Sequence, residues 1–126
     1  MDVLSIHAPD LPSTRKMIGT DQLAALPTGA TVINTARGAL LDHDALVGEL
    51  STGRLKAVLD VTDPEPLPDD HPLRSLPNCW LAPHLAGSQG AELARLIDQA
   101  AHEIELWKLG EPAINEVVAS QLDRLA

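Results

Sequence analysis

Four side chains in this sequence have the chemistry to bind an organic acid and move a proton: Arg37, Asp60, Glu65 and His84. A guanidinium grips a carboxylate or a polarised carbonyl in a bidentate fashion that lysine does not reproduce. An imidazole gives and takes protons near neutral pH, and a carboxylate beside it favours its charged form. Each candidate stands just past a short apolar run: Arg37 after residues 30–35, Asp60 and Glu65 after residues 55–59, His84 after residues 79–82. In a parallel sheet the carboxyl ends of the strands share one edge, and α/β proteins bind their ligands there. A lone turn histidine satisfied by a backbone carbonyl is the plainer reading of His84, and a structural ion-pair network gives a similar pattern. Chemistry is favoured because three strand ends converge.

The elements that must position these groups follow in order. Residues 2–8 read as a strand, apolar enough at Val3, Leu4 and Ile6 to be covered on both faces and closed by Pro9. Ser13 can cap a short turn that runs to Met17 and stops at Gly19, and Thr20 or Asp21 can cap a second short helix with Leu23, Ala24 and Leu26 on one face. Residues 30–35 form a second strand rich in β-branched side chains. Asp42 caps a helix running to Leu50, with Leu46, Val47 and Leu50 inward, and residues 55–61 form a third strand. Residues 62–77 hold five of the ten prolines and several acids, too many breakers for regular structure. A segment of this length in a compact domain is expected to be ordered and to line a site. Residues 80–82 read as a buried fourth strand that Pro83 ends by removing a donor. Ser88 then caps a helix through Leu109, about 33 Å long at 1.5 Å per residue. Leu93, Leu96, Ile97, Ala100, Ile104 and Trp107 recur at three- and four-residue spacing and predict its buried stripe. Gly110 and Pro112 end it, and residues 117–125 can form a last short helix. The alternation predicts an α/β fold with right-handed crossovers around a parallel sheet.

Composition narrows the partners. A chain of 126 residues allows one domain. A net charge of −9, with no Lys/Arg patch, opposes a nucleic-acid backbone, and the absence of Phe and Tyr leaves no stacking platform for bases. No basic leader precedes an apolar run and no apolar stretch approaches the ~20 residues of a membrane span. Cys79 is the only cysteine, which excludes an intrachain disulfide and points to a reducing, cytoplasmic setting.

Four segments carry a resemblance. DVLSIHAP at 2–9, VINTARG at 32–38, LDV at 59–61 with PEPL at 64–67, and APHLAG at 82–87 resemble, in order and spacing, the motifs of the D-isomer-specific 2-hydroxyacid dehydrogenases. The likeness implies a partial doubly wound, Rossmann-like parallel sheet of about four strands with helices, lacking the first βαβ portion. It implies a hydride transferred between NAD or NADP and a small 2-oxo or D-2-hydroxy acid. By position, Arg37 resembles the substrate-binding arginine, His84 the catalytic histidine and Glu65 its paired glutamate. Glutamate at 65 argues against the formate dehydrogenase branch, which carries glutamine there. Thr35, Ala36, Asp60, Ala86 and Gly87, with Arg37 and His84 themselves, match positions beside the nicotinamide, and His7, Ala8 and Pro9 the strand end beside the adenosine half.

The likeness covers only part of such an enzyme. The eight glycines make no G-x-G-x-x-G, and no acid stands where the ribose hydroxyls would be read. Residues 1–126 thus resemble the C-terminal half of a dinucleotide-binding domain, with residues 113–126 a tail expected to dock on an absent substrate domain or partner. The first strand would leave an apolar edge unpaired, so a homo-oligomer or the remainder of a longer chain is expected. A non-catalytic relative serving as a binding or dimerisation module is the alternative. A histidine/carboxylate metal hydrolase ranks last, because no ligand cluster has the required spacing. Of the other histidines, His43, His71 and His102 read as solvated surface residues, and His7 as a core histidine or a cofactor neighbour. The acids at 60, 63, 65, 69 and 70 lack the glycine pattern of a calcium loop. Cys79 reads as a small hydrophobe rather than a nucleophile.

Overall fold

The computed structural model describes residues 2–122, which divide into two compact units, one up to Ala86 and one from Gly87 onward. The first unit is built on four parallel strands, β1 (Val3–Ile6), β2 (Thr31–Asn34), β3 (Lys56–Leu59) and β4 (Cys79–Leu81), lying side by side in that order. Helices α1 (Thr20–Ala24) and α2 (His43–Ser51) occupy the first two crossovers. The third crossover is the proline-rich segment, regular only over a single 3-10 turn at Pro72–Arg74. This is the parallel α/β sheet that the alternation of elements predicts, in the Rossmann-like form that the resemblance implies.

Register explains where the core lies. Leu4, Val32, Ala57 and Cys79 form one row across the sheet, and Ile6, Asn34, Leu59 and Leu81 a row on the same face. That face packs with Leu23 of α1, Leu46 and Leu50 of α2, and Leu40, Leu41, Leu55, Leu67 and Leu73 from the connections. Truncating any one of these leucines to alanine is worth about 2–5 kcal/mol. The intervening row is Ser5, Ile33, Val58 and Trp80, and it ends at a Trp80 that is 69% exposed. Two expectations are corrected here. β1 is not covered on both faces, since Val3 and Ser5 are exposed, and β4 is not a buried strand. An apolar run shows that a strand can be buried, but only neighbouring elements bury it.

Side-chain bonds lock the crossovers. Asp42 accepts the amides of Asp44 and Ala45 through Oδ1 at 3.1 and 3.2 Å, capping α2 as its sequence predicts. α1 is capped differently from expectation. Gly19 takes the cap position, and the Gln22 side chain reaches back to accept its amide at 3.1 Å. In the preceding turn Thr14, not Ser13, makes the bonds, donating to the Pro9 carbonyl at 2.6 Å. Arg54 closes the end of α1 by donating to the carbonyls of Leu23 and Leu26, while its Nε meets Glu49 of α2. Asn78 donates to the carbonyls of Leu50 and Leu55 at 2.9 and 2.8 Å, fastening the start of β4 to the end of α2.

The second unit holds α3 (Ala91–Leu109), which starts three residues later than Ser88 and is capped by Gly90. Gly110, at φ 72°, ends it in the left-handed conformation that glycine adopts without strain. Its apolar residues keep their helical spacing but none is buried, and Trp107 is 78% exposed. The expectation of a buried stripe is thereby corrected: periodicity fixes which residues share a face and not what meets that face. The Asn115 side-chain amide donates to Glu103 Oε1 at 2.8 Å, and the Ile114 and Asn115 main-chain amides donate to the same carboxylate at 3.1 and 3.0 Å, tying the following segment to its own helix and holding the Glu103 carboxyl below its ordinary range. The expected helix at 117–125 is only a 3-10 turn at Ala119–Gln121, and residues 123–126 lie outside the described residues.

Candidate active site

The carboxyl ends of β2, β3 and β4 are joined before any reactive side chain is reached. The Asp60 amide donates to the Asn34 carbonyl at 2.9 Å, the Ala82 amide to the Leu59 carbonyl at 2.8 Å, and the His84 amide to the Asp60 carbonyl at 3.0 Å. Pro83 stands two residues past the end of β4, between Ala82 and His84, so the expectation that its missing donor ends the pairing is corrected: the amides on either side of it still reach the end of β3. His84 has φ 54°, a left-handed conformation that costs a residue with a Cβ about 1–3 kcal/mol unless its surroundings enforce it. Asp60 enforces it. This carboxylate is buried, and its Oδ1 and Oδ2 accept the amides of Leu85 and Ala86 at 2.7 and 2.8 Å. A buried carboxylate has to be matched in this way.

The turn so held presents His84 to Glu65, whose Oε1 lies 2.8 Å from Nδ1. A carboxylate only accepts, so the proton of this bond sits on Nδ1 and the ring's Nε2 is left for another partner. Both side chains are about half exposed. Glu65 is placed by an ordered loop, as expected for residues 62–77. The Thr62 hydroxyl donates to the Pro64 carbonyl at 2.9 Å, Arg15 meets Asp63 at 3.1 Å, and Arg74 donates to the Pro68 carbonyl at 2.9 Å and also to that of Leu67. The peptide bonds before Pro64 and Pro66 are cis. A cleft of about 450 Å³ opens beside Glu65, among Asp60, Thr62, Pro66, Arg74 and Pro83. Neither His84 nor Arg37 lines it, so the half-exposed pair and not this cleft is where a proton could pass to a substrate.

Arg37 stands at the same rim, past the end of β2. Its Nη1 donates to the Ala36 carbonyl at 2.7 Å, and no hydrogen bond or ion pair joins it to Glu65 or His84 among the described residues. The backbone does join the two turns, because Gly38 is packed against Thr62 and Asp63 of the Glu65 loop so closely that a Cβ there would collide with them. The remaining candidates divide. Thr35 is exposed and makes no side-chain hydrogen bond among the described residues, while Ala36 gives its amide to Asn34. His7 is exposed at the end of β1 with Nε2 2.7 Å from the Ser5 hydroxyl, so it is not a packed core histidine. Ala8 and Pro9 continue the same strand end, and the Pro9 carbonyl is taken by Thr14. Ala86 is exposed and donates to Asp60, and Gly87 belongs to the second unit, with open space where a Cβ would stand.

Three other readings are tested directly. His43 is 6% exposed, which corrects the expectation that it is solvated. It is the first residue of α2, and burial pushes its pKa down. His71 caps the Pro72–Arg74 turn by accepting the Leu73 amide at 3.3 Å. The Cys79 thiol is pushed up to about 11 by burial, far from a thiolate at neutral pH, which fits a small hydrophobe. Two contributors escaped the sequence reading. Asn34 looked like one more residue of the strand at 30–35, and Gly38 was noted only as the end of the VINTARG segment.

The site is thus a carboxylate–imidazole pair at the carboxyl rim of a parallel α/β sheet, with a guanidinium past the end of β2. The chain belongs to the D-isomer specific 2-hydroxyacid dehydrogenases, as part of their NAD binding domain: the model of that family matches residues 1–86. It is similar to the formate dehydrogenase of Pseudomonas sp. (strain 101), at 36% identity over 126 residues covering 99% of this chain and 31% of that protein. It is similar to the glyoxylate reductase of Korarchaeum cryptofilum, at 38% identity over 111 residues covering 87% of this chain and 33% of that one. Among solved structures, the D-isomer specific 2-hydroxyacid dehydrogenase of Xanthobacter autotrophicus Py2, in complex with NADPH and MES, superposes with a TM-score of 0.82 at 36% identity, covering 95% of this chain and 49% of that one. The chain thus spans about a third of the length of the curated relatives it matches.

At the rim Thr35 exposes a hydroxyl and Ala86 a small side chain, groups chemically compatible with an amide-bearing ring. The described residues hold no glycine-rich turn to cradle a diphosphate.

Proposed function

We propose that this chain supplies the acid–base and substrate-orienting part of an oxidoreductase that interconverts a small 2-oxo acid and a D-2-hydroxy acid. The observation that carries the reading is the Glu65–His84 pair, 2.8 Å apart and half exposed at the rim. When bound, the nicotinamide supplies a hydride to C2 of the oxo acid, or accepts it in reverse. As the C2 carbonyl opens, His84 gives its Nε2 proton to the oxygen, and it takes that proton back when the alcohol is oxidised. Glu65 accepts from Nδ1 and so fixes the ring with Nε2 left for the substrate oxygen. Arg37 clasps the substrate carboxylate and polarises the carbonyl. In this reading Thr35, Ala36, Asp60 and Ala86 serve the nicotinamide end, and His7, Ala8 and Pro9 the adenosine half, as the likeness to the family implies. An acid at position 65 supports 2-oxo acid chemistry over formate oxidation. The β1 edge, bonded only to β2 among the described residues, supports pairing with the remainder of a longer chain or with a second copy. A single half-buried thiol suits a reducing cytoplasm.

The test is a graft in which this chain replaces the matching third of the Korarchaeum glyoxylate reductase. Turnover of glyoxylate or hydroxypyruvate is followed by nicotinamide absorbance with NADH and with NADPH. The graft is expected to turn over, and His84→Ala to slow it by about 10²–10⁴-fold. An unchanged rate in the His84 variant would sink the role given to that residue. A folded graft that binds nucleotide without turnover would favour a binding or dimerisation module instead.

A further inference from the structure

The site described above leaves one costly group without a stated purpose. Asn34 ends β2 with 0% exposure, and a carboxamide is tolerated there only if its donors and acceptor are satisfied. Its Oδ1 accepts the Ala36 amide at 3.1 Å, and its Nδ2 donates to the Arg37 carbonyl at 2.9 Å. One side chain thereby fixes two consecutive peptides of the turn. The guanidinium is clipped to that turn, since Arg37 Nη1 donates to the carbonyl of Ala36, the residue whose amide Asn34 holds. The main chain of Asn34 meanwhile accepts the Asp60 amide, and Asp60 accepts that of His84.

We propose that Asn34 is a positioning residue for substrate binding: through the peptides of Ala36 and Arg37 it sets where the Arg37 guanidinium meets the substrate carboxylate. This deepens the reaction proposed above and rests on it. The carboxamide is required at both ends. A carboxylate of the same shape keeps the acceptor for Ala36 but turns the other end from a donor into an acceptor facing the Arg37 carbonyl. The turn is then pushed from its place with little change in volume.

The experiment is a double-mutant cycle in the grafted enzyme, reading KM for glyoxylate, KM for NADH and kcat for Asn34→Asp, Arg37→Ala and the pair, with melting temperatures to show that each is folded. N34D is expected to raise KM for glyoxylate on the order of tenfold with KM for NADH nearly unchanged. In the R37A background N34D is expected to add nothing further to that KM, because no guanidinium remains to be placed. If N34D raises KM by the same factor with and without Arg37, or lowers only the melting temperature, the positioning role is overturned while the reaction stands. If R37A alone leaves KM for glyoxylate unchanged, the substrate role of Arg37 fails and the role of Asn34 falls with it. Should N34D not fold, Asn34→Ser, whose single hydroxyl cannot span both peptides, is carried through the same cycle with the same outcomes.

Discussion

Glu65 Oε1 stands 2.8 Å from His84 Nδ1, across nineteen residues of chain, and neither group is buried. Exposed pairs add little to stability, on the order of 0–1 kcal/mol, so this one is expected to matter to turnover and not to folding. Replacing Glu65 by glutamine keeps a hydrogen-bonding partner for Nδ1 but removes the negative charge beside the ring. In the grafted enzyme E65Q is expected to lower kcat by about 10²-fold with a melting temperature within a degree or two of the parent. A variant that melts much lower at full activity would reverse that assignment.

Gly38 ties the arginine turn to the glutamate loop. A methyl group added there runs into the main chain of Thr62 and Asp63, which has no side-chain freedom to yield. Gly38→Ala is expected to cost roughly 1–3 kcal/mol of stability by overpacking and to lower kcat more than it raises KM for NADH, because the displaced loop carries Glu65. Equilibrium urea unfolding and steady-state kinetics on the same preparation check both halves.

His43 makes acid stability partly its own. Loss of solvent around the buried imidazole, helped by His71, lowers its pKa from the ordinary 6.5, while Leu41, Asp63 and Asp42 pull the other way. The unfolded chain therefore takes up a proton below about pH 6.5 that the folded chain refuses. Stability from this source is complete above pH 6.5 and falls as pH drops through the folded value, by at most ~1.4 kcal/mol per pH unit. His43→Leu is expected to flatten the urea midpoint between pH 6.5 and 5; an equal slope in both proteins would assign the acid loss to other groups.

Asp42 acts in a lower window. The Ala45 amide and then Lys16 hold its carboxyl below the ordinary 3.8, so its contribution is present above that value and disappears as pH falls through the folded one. Asp42→Ala is expected to cost about 1 kcal/mol at neutral pH, the usual worth of a helix cap, and progressively less as pH falls below 3.8. Thermal melts at pH 7 and in strong acid distinguish the two conditions.

The β1 edge predicts association. Its backbone is bonded on one side only among the described residues, and Val3 at its start is exposed. Such an edge pairs with whatever strand is offered. Gel filtration with light scattering on the 126-residue chain is expected to give a mass above that of the monomer; a stable monomer over a wide concentration range would contradict it.

How far the sequence speaks differs from residue to residue. The four strands, the Asp42 cap and the meeting of Glu65 with His84 were legible, because each depends on local chemistry or on a strand end whose side of the sheet is dictated by parallel pairing. Arg37 was legible as a group at the rim, but not as one folded back on the Ala36 carbonyl. Trp80 and the apolar residues of α3 were misread as buried, since their pattern states a preference that only a neighbour can satisfy. His43 was misread because a helix start suggested water, whereas the first residue of α2 is 6% exposed. Asn34 was missed because a polar residue closing a β-branched run resembles an ordinary strand terminus until its two bonds are seen.

β4 is three residues long, too short to hold anything still by its own ladder. It behaves like a string drawn tight between two pegs, Asn78 behind it gripping the end of α2 and Asp60 ahead of it gripping the amides beyond His84. The address of the histidine is therefore written in neighbouring strands. Drift in the letters at 79–81 should be forgiven, whereas a change at 60 or 78 should send the imidazole astray.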